Sequence, residues 1–210
     1  MADWATISSL ATAGGTLVLA IATFASVRSG HRSARVAEES LLASVRPILM
    51  PSRLEDPQLK VGFQDNHWVR VDGGRGTVEV TDEAVYMTMS LRNAGTGVAV
   101  LHGWRLEGPE GLFRQDRPPL DGLHRLQRDI YIPAADIYFW QGAIREPDHP
   151  DRELVEKALA GNDRLVVDIL YGDQQGGQRV ISRFSLVPVT GGGYLVNLAR
   201  HWNVDRPDPR

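Results

Sequence analysis

The sequence predicts a mainly β protein: an immunoglobulin-like antiparallel β-sandwich with one short inserted helix, preceded by an N-terminal transmembrane helix and a juxtamembrane helix. Three observations lead to this fold class. No charged residue occurs from Trp4 to Val27. Helix-forming residues without Gly or Pro then follow over His31–Arg46. From Pro47 onward, short β-rich runs alternate with Gly-containing turns, as in many-stranded antiparallel folds.

The first predicted element, residues 1–28, is a membrane anchor. About 20 apolar residues are enough for a helix to cross a hydrocarbon core of about 30 Å. A cleaved signal peptide is the first alternative, but no basic residue precedes the apolar run. A buried helix of a soluble protein is the second, and it fits poorly because the run is apolar all round. A permanent single-pass anchor is therefore expected.

The residues that flank the span predict its orientation. Arg28, Arg32 and Arg35 follow the apolar run, and no Lys or Arg precedes it. The positive-inside rule therefore places the C-terminal domain in the cytoplasm, with Trp4 in the aromatic belt of the outer interface. The absence of cysteine is consistent with a cytoplasmic domain.

The juxtamembrane segment, residues 29–46, is predicted to continue as a helix, with Gly30 as a weak hinge and Pro47 as its stop. Its apolar residues form one stripe: Ala34, Ala37, Leu41 and Val45. The stripe either packs on the protein's own domain or joins another helix. The expected partners are therefore the lipid bilayer and, through the two helices, a second copy or another protein; small residues such as Thr12 and Thr16 would allow close helix contact.

Residues 47–202 are predicted to form the β-sandwich domain, and residues 203–210 a frayed polar tail. The inserted helix follows two prolines, with Asp151 as its N-cap and Gly161 as its C′ residue. Eleven strands are predicted by alternation and turn signals: 48–54, 58–63, 67–72, 77–81, 84–92, 98–107, 128–132, 137–144, 165–171, 179–187 and 194–198.

Two stretches carry a resemblance to a known group of proteins. They are Arg46-Pro47-Ile48-Leu49 and the strand–turn–strand block from Met87 to Ala99, which contains Asn93, Gly95 and Gly97 in an Asn-x-Gly-x-Gly-x-Ala turn. This layout resembles bacterial membrane-anchored proteins of unassigned function. The resemblance implies an immunoglobulin-like fold and a bacterial inner-membrane location, but no reaction. Glycines with positive φ and an Asn that bonds its own backbone would suit the turn.

No catalytic, cofactor-binding or metal-binding residue is expected from the sequence. Without cysteine, thiolate zinc sites, iron–sulfur clusters and cysteine nucleophiles are excluded. No pair of histidines has the spacing of a helical zinc-protease motif, and the Gly-rich stretches lack the Lys of a phosphate loop. Asp148 and His149, weighed as a metal or general-base pair, are better interpreted as a solvated loop. His102, in a strand near Trp104, is expected to be buried with a hydrogen-bond partner.

Two further features bear on binding. Within the aromatic run from Tyr138 to Trp140, alternation places Tyr138 and Trp140 on the buried face and Phe139 on the other. A nucleic-acid partner is not expected, because the pI is near 6.1 and the only modest basic patch in the domain is Arg125 and Arg128 beside His124.

The favoured function is that of a single-pass membrane protein which presents a cytoplasmic β-sandwich as a protein-binding or scaffolding module, without enzymatic activity. One alternative is a membrane-tethered enzyme or small-ligand sensor with a pocket near the 151–160 helix. The other is an accessory subunit of a larger membrane complex. A deep cleft with buried ionisable groups would favour the sensor, and a solid core with shallow grooves would favour the module.

Overall fold

The structure, a computed structural model, describes residues 3–208, without the side chains of residues 4–7, 9–11, 43 and 127. The chain divides into two compact units, residues 1–44 and 45–210. The first unit is a single helix, α1 (Trp4–Ser44), of 41 residues. It continues through Gly30 without interruption. Both predicted helical segments therefore belong to one helix, which ends three residues before Pro47.

In the part of the chain that the structure describes, one helix is long and apolar enough to cross a membrane, by length and composition. Its qualifying stretch is Thr12–Leu42, with a mean hydropathy of 1.2. Leu17, Leu19 and Phe24 on this stretch are exposed. These apolar side chains are therefore not buried in a protein core.

Over its described residues, 45–208, the second unit contains eleven strands and a second helix, α2 (Pro150–Gly161). The strands are β1 (Leu49–Pro51), β2 (Leu59–Gly62), β3 (Trp68–Val71), β4 (Arg75–Val80), β5 (Val85–Asn93), β6 (Ala99–Glu107), β7 (His124–Ile132), β8 (Ile137–Ile144), β9 (Leu165–Gly172), β10 (Val180–Pro188) and β11 (Tyr194–Asn203). Each overlaps a strand predicted from the sequence. A short 3₁₀ turn, Pro109–Phe113, follows β6.

All the strand pairs of the second unit are antiparallel. One sheet has nine strands in the order β1-β5-β4-β11-β10-β9-β6-β7, with β8 also paired to β5, and β2 pairs with β3 separately. The step from β4 to β11 has only two register pairs, Gly76 with Tyr194 and Arg75 with Leu195. The nine-stranded sheet therefore has a weak seam between an arm of four strands, β1, β8, β5 and β4, and an arm of five strands, β11, β10, β9, β6 and β7.

Both arms of the sheet contribute to one hydrophobic core. Met87 and Met89 on β5 belong to the same buried cluster as Ile169 on β9 and Phe184 on β10. Across the arms, Trp104 of β6 and Trp140 of β8 meet edge to face, with ring centroids 5.3 Å apart. The prediction of a mainly β, antiparallel domain that follows a long apolar N-terminal helix is confirmed.

The ends of α2 differ from the prediction. His149, not Asp151, is the N-cap: its side chain accepts a hydrogen bond from the backbone N–H of Asp151. Asn162, not Gly161, is the left-handed C-cap residue, with φ of 51°. Asn adopts the left-handed conformation more readily than other residues with side chains, so either Gly161 or Asn162 could end the helix in this way. The path of the chain places the left-handed conformation at Asn162.

The predicted frayed tail is held over part of its length. The N–H of Val204 donates to the carbonyl of Arg179, and the Arg179 guanidinium pairs with Asp205 at 2.7 Å. Residues 209–210 lie outside the described residues. Strand β11 and the first residues after it are therefore fastened to the start of β10.

Candidate functional site

The predicted structural turn is built around the buried side chain of Asn93. Its amide nitrogen donates to the carbonyls of Gly97, at 2.6 Å, and Ile132, at 3.0 Å. Its amide oxygen accepts from the backbone N–H groups of Ile48, at 3.1 Å, and Gly95, at 3.0 Å. One side chain thus joins the ends of three strands, and both its donor and acceptor capacity are used. This is a scaffold contact rather than a reactive site.

Gly95 and Gly97 are required because another part of the backbone passes close to them, not because of the positive φ that was expected from the sequence. Neither has a positive φ. A Cβ atom would lie 2.2 Å from the carbonyl oxygen of Arg46 at Gly95, and 1.7 Å from that of Val45 at Gly97. The Val45–Arg46 backbone runs against this turn so closely that a methyl group has no space.

The residues predicted to flank the membrane lie on α1. Arg28, Arg32 and Arg35 are exposed on its C-terminal half. Trp4 begins the helix, but its side chain lies outside what the structure describes. The three arginines therefore present their charge to the surroundings of the helix directly after the uncharged run.

A charged cluster is buried inside the β domain. The guanidinium of Arg183 on β10 donates to both carboxylate oxygens of Asp168 on β9, each at 2.7 Å. It also reaches Glu107, at 3.2 Å, and the carbonyl of Gly111. Burial opposes the charge of Arg183, but these carboxylates outweigh it and hold the pKa of Arg183 above its usual value. The cluster is internally paired, so its charges stabilise one another.

A second group of ionisable side chains lies where β7 meets the N-terminus of α2. His124, the first residue of β7, places Nε2 2.6 Å from Oδ2 of Asp151, in the first turn of α2. His149, the N-cap of α2, places Nδ1 4.0 Å from the same oxygen. The three ligand-type atoms lie within 4.8 Å of one another, and all three residues are partly buried.

Neighbouring groups hold the two imidazoles of this cluster in place. Trp104 stacks on His124, with centroids 4.3 Å apart and planes inclined by 22°. The rings of His124 and His149 are 5.1 Å apart. Nδ1 of His149 accepts from the backbone N–H of Asp151 at 3.1 Å, which fixes the ring against the helix. The cluster is thus positioned by a strand, a helix N-terminus and a buried tryptophan together.

The cluster faces a cleft that a small ligand can enter. A cavity of about 240 Å³ is lined by His124, Ala143, Ile144, Arg145, Glu146 and His149. Imidazole nitrogens and a carboxylate oxygen that converge beside a cavity can bind a metal ion or exchange protons with a bound molecule.

This grouping was not predicted from the sequence. His149 was paired with Asp148 as a possible metal or general-base site, and His124 was assigned only to a modest basic patch. The spacing of His149 and Asp151 at i and i+2 is a weak signal by itself. His124 joins them only because β7 passes the N-terminus of α2, and that proximity is a property of the fold.

Two further expectations about side chains were wrong. His102 is exposed, not buried, and lies at a register irregularity of β6 between Leu101 and Gly103. Phe139 and Trp140 are both buried, whereas Tyr138 is exposed. Tyr138 stacks on Phe139, with centroids 4.2 Å apart, and the Arg128 guanidinium lies 5.2 Å from the Phe139 ring. Tyr138 and Arg128 thus cover the ring of Phe139 on the side of the strand that was expected to be exposed to solvent.

No protein-family model and no curated protein sequence matches the chain. Matching solved structures include the crystal structure of a protein from Archaeoglobus fulgidus, at 13% identity and a TM-score of 0.24, covering 62% of this chain and 94% of that one. An X-ray structure of a Northeast Structural Genomics Consortium target matches at 11% identity and a TM-score of 0.24, covering 81% of this chain and 92% of that one. Likenesses at this level carry no inference about function.

Proposed function

We propose that the protein is a single-pass protein of the bacterial inner membrane that presents its β domain in the cytoplasm as a protein-binding or scaffolding module. The observation that carries the proposal is α1, a 41-residue helix with outward-facing apolar residues that forms a unit separate from the β domain. Lipid is the environment in which such a surface is stable.

Hydroxyl groups along α1 support insertion into lipid. The hydroxyls of Thr12, Thr16 and Thr23 each donate to the backbone carbonyl four residues earlier, at 2.8–2.9 Å. A polar group that is satisfied within its own helix costs less to place in hydrocarbon than a free one. The Thr-rich composition is therefore compatible with a membrane span.

The cytoplasmic orientation rests on the three arginines that follow the span. A reporter active only outside the cytoplasm, fused after the C-terminus, is expected to stay silent. Replacement of Arg28, Arg32 and Arg35 by alanine is expected to produce a fraction of active, inverted molecules. A matched triple replacement of Arg53, Lys60 and Arg70, which are exposed on the β domain, is expected to leave the reporter silent. Strong activity of the unaltered fusion would refute the orientation.

For the β domain we infer an immunoglobulin-like sandwich. The seam between β4 and β11 and the main core shared by the two arms support this inference, because a sheet that folds back on itself encloses its own apolar face. Strands β7 and β8 each pair with one other strand among the described residues. Edges of this kind can accept a strand or loop from a partner.

The exposed edge suggests which surface binds. Tyr131 on β7 is 50% exposed and Tyr138 on β8 is 37% exposed, on either side of the turn that joins the two strands. Aromatic side chains of this kind are enriched in protein interfaces. In affinity purification of the detergent-solubilised protein, Tyr131→Arg is expected to lose a stoichiometric partner. Leu159→Arg, at a 38% exposed position on α2, is expected to retain it. Equal recovery with both variants would refute this edge as the binding surface, and absence of a stoichiometric partner would refute the module.

A membrane-tethered sensor of a small ligand is the second candidate. The His124–His149–Asp151 cluster beside its cavity of about 240 Å³ favours it, because ionisable groups that converge on a cleft are typical of binding sites. Ligand-dependent protection of the α2 N-terminus in hydrogen exchange would distinguish the sensor from a simple module.

A further inference from the structure

We propose that His124, His149 and Asp151 bind a divalent transition-metal ion, with zinc as the preferred ion, and leave one coordination position open toward the cleft beside Arg145 and Glu146. Two imidazoles and one carboxylate form this set, from β7 and the N-terminus of α2. The proposal is independent of whether α1 spans a membrane.

The spacing of the three atoms suits a tetrahedral ion. Ligand atoms at about 2.0–2.1 Å from zinc stand about 3.3 Å apart. In the structure, Nε2 of His124 is 2.6 Å from Oδ2 of Asp151, and Nδ1 of His149 is 4.0 Å from that oxygen. One distance must lengthen and the other must shorten, each by less than about 1 Å, to reach the tetrahedral spacing. The ligand atoms of the two imidazoles lie within 4.8 Å of one another and would also approach each other around the ion.

Metal binding would replace two hydrogen bonds that the structure shows. The ion would take the place of the proton between His124 and Asp151. It would also use the lone pair of His149 Nδ1, which now accepts from the Asp151 N–H at 3.1 Å. Binding is therefore expected to change the first turn of α2, where that N–H becomes free of its cap. The Asp151 backbone amide is a local reporter of occupancy.

The types of ligand favour zinc over calcium or magnesium. Calcium and magnesium prefer sets made only of oxygen, whereas imidazole suits zinc and its neighbours in the transition series. Three protein ligands with an open fourth position are typical of zinc sites that bind water or an exogenous ligand. The cavity of about 240 Å³ lies on the side of His124 and His149, so a water molecule or an anionic oxygen ligand can reach the ion.

A purely structural role would use the His124–Asp151 contact and the N-cap that His149 forms on α2. His67 and Glu79 show such a contact elsewhere, with Nε2 and Oε2 2.8 Å apart. Within residues 3–208, His124, His149 and Asp151 are the one set of three side chains that can ligate a single ion. Neither the latch nor the cap requires the two imidazoles to converge, so the 5.1 Å separation of the His124 and His149 rings is the feature that a structural role leaves unexplained.

The test is titration of the metal-stripped, detergent-solubilised full chain with Zn²⁺, followed by calorimetry, and with Co²⁺, followed by visible absorption. The unaltered protein is expected to bind one Zn²⁺ per chain and to give the intense Co²⁺ absorption of a tetrahedral site. His149→Ala is expected to weaken Zn²⁺ binding by at least about 100-fold, because loss of an outer-shell partner alone costs about 10–100-fold. His67→Ala, the matched control, is expected to bind as the unaltered protein does.

Asp151→Asn keeps the shape of the side chain and is expected to weaken Zn²⁺ binding while circular dichroism stays unchanged. In the unaltered protein, the Asp151 amide resonance is expected to shift on Zn²⁺ addition. The proposal is overturned if the stripped protein does not bind Zn²⁺ saturably, if His149→Ala binds normally, or if His67→Ala loses binding equally. His149 lies outside the hydrophobic core, so the His149→Ala protein is expected to fold, and its loss of Zn²⁺ binding can be measured.

Discussion

Arg183 and Asp168 form a bidentate ion pair inside the β domain, with Nε–Oδ1 and Nη2–Oδ2 distances of 2.7 Å each. Both side chains are nearly inaccessible to solvent, at 1% and 0% exposure. They join neighbouring strands β9 and β10 at register partners. Removal of the Asp168 charge would leave the buried guanidinium of Arg183 with only its longer contact to Glu107, at 3.2 Å, to compensate its charge.

Asp168→Asn is therefore expected to lower the free energy of unfolding by about 3–5 kcal/mol. Asp205→Asn is the matched control, since Asp205 pairs with Arg179 through a similar contact at the surface. It is expected to cost at most about 1 kcal/mol, because water screens exposed pairs. Thermal or urea unfolding of the detergent-solubilised chain measures both. Similar costs for the two variants would refute the distinction between the buried and the exposed pair.

Gly97→Ala is expected to destabilise the protein by about 3 kcal/mol, because the added methyl group would meet the Val45 carbonyl oxygen at 1.7 Å. Gly177→Ala is the control: no atom lies within 4 Å of its added Cβ, and its φ is not positive. A change within about 0.5 kcal/mol is expected there. Unfolding midpoints measured side by side give both values. If Gly97→Ala is as mild as Gly177→Ala, the close approach of residues 45–46 to the turn is wrong.

Tyr86 is expected to titrate at unusually high pH. Its hydroxyl donates to Oδ2 of Asp65 at 2.8 Å, and burial, followed by this hydrogen bond and the Asp65 charge, raises its pKa to about 12 from 10.0. Since the folded-state pKa is the higher one, the stability contributed by neutral Tyr86 is complete below about pH 10. It is lost as the pH rises from about 10 to about 12.

Asp65→Asn keeps an acceptor oxygen but removes the charge, so the pKa of Tyr86 is expected to fall. Ultraviolet difference spectra of tyrosinate formation measure this shift, and Tyr86→Phe identifies the step that belongs to Tyr86. An unchanged titration in Asp65→Asn would contradict the role of the carboxylate.

Local pattern was sufficient to predict the strands, since each of the eleven runs overlaps an observed strand and side-chain alternation is a property of neighbouring residues. The helix caps were harder, because His149 and Asp151 both have side chains that can accept a backbone N–H and only the chain path selects one. A glycine at position 97 was predicted because of an expected positive φ, but the structure requires it because the Val45 carbonyl lies too close for a side chain. Val45 is distant in sequence, so local pattern does not show this contact.

The candidate metal cluster depends on long-range packing. His124 and Asp151 are 27 residues apart, and their contact exists because β7 begins beside the N-terminus of α2. The same holds for Arg183 and Glu107, which are 76 residues apart. Sequence patterns report periodicity and local chemistry, but they do not show which loops and strand ends meet in space.

Leu19 and Leu41 provide a matched pair for the membrane anchor, because both are exposed on α1, at 70% and 64%. The proposed span is the uncharged run, residues 4–27, which contains Leu19. Leu41 lies in the charged part of the stretch Thr12–Leu42, beyond Arg28, Arg32 and Arg35 and outside the proposed span. An arginine near the centre of a span costs about 2.5–3.5 kcal/mol in membrane insertion, whereas one outside the span does not. Leu19→Arg is therefore expected to reduce membrane association, and Leu41→Arg is expected to preserve it.

The most direct measurement is alkaline extraction of membranes that contain the unaltered full chain, followed by assay of the pellet and the supernatant. An anchored protein remains in the pellet, together with Leu41→Arg, while a substantial part of Leu19→Arg is released. Release of the unaltered chain into the supernatant would contradict the anchor and, with it, the proposal of a membrane-presented β domain.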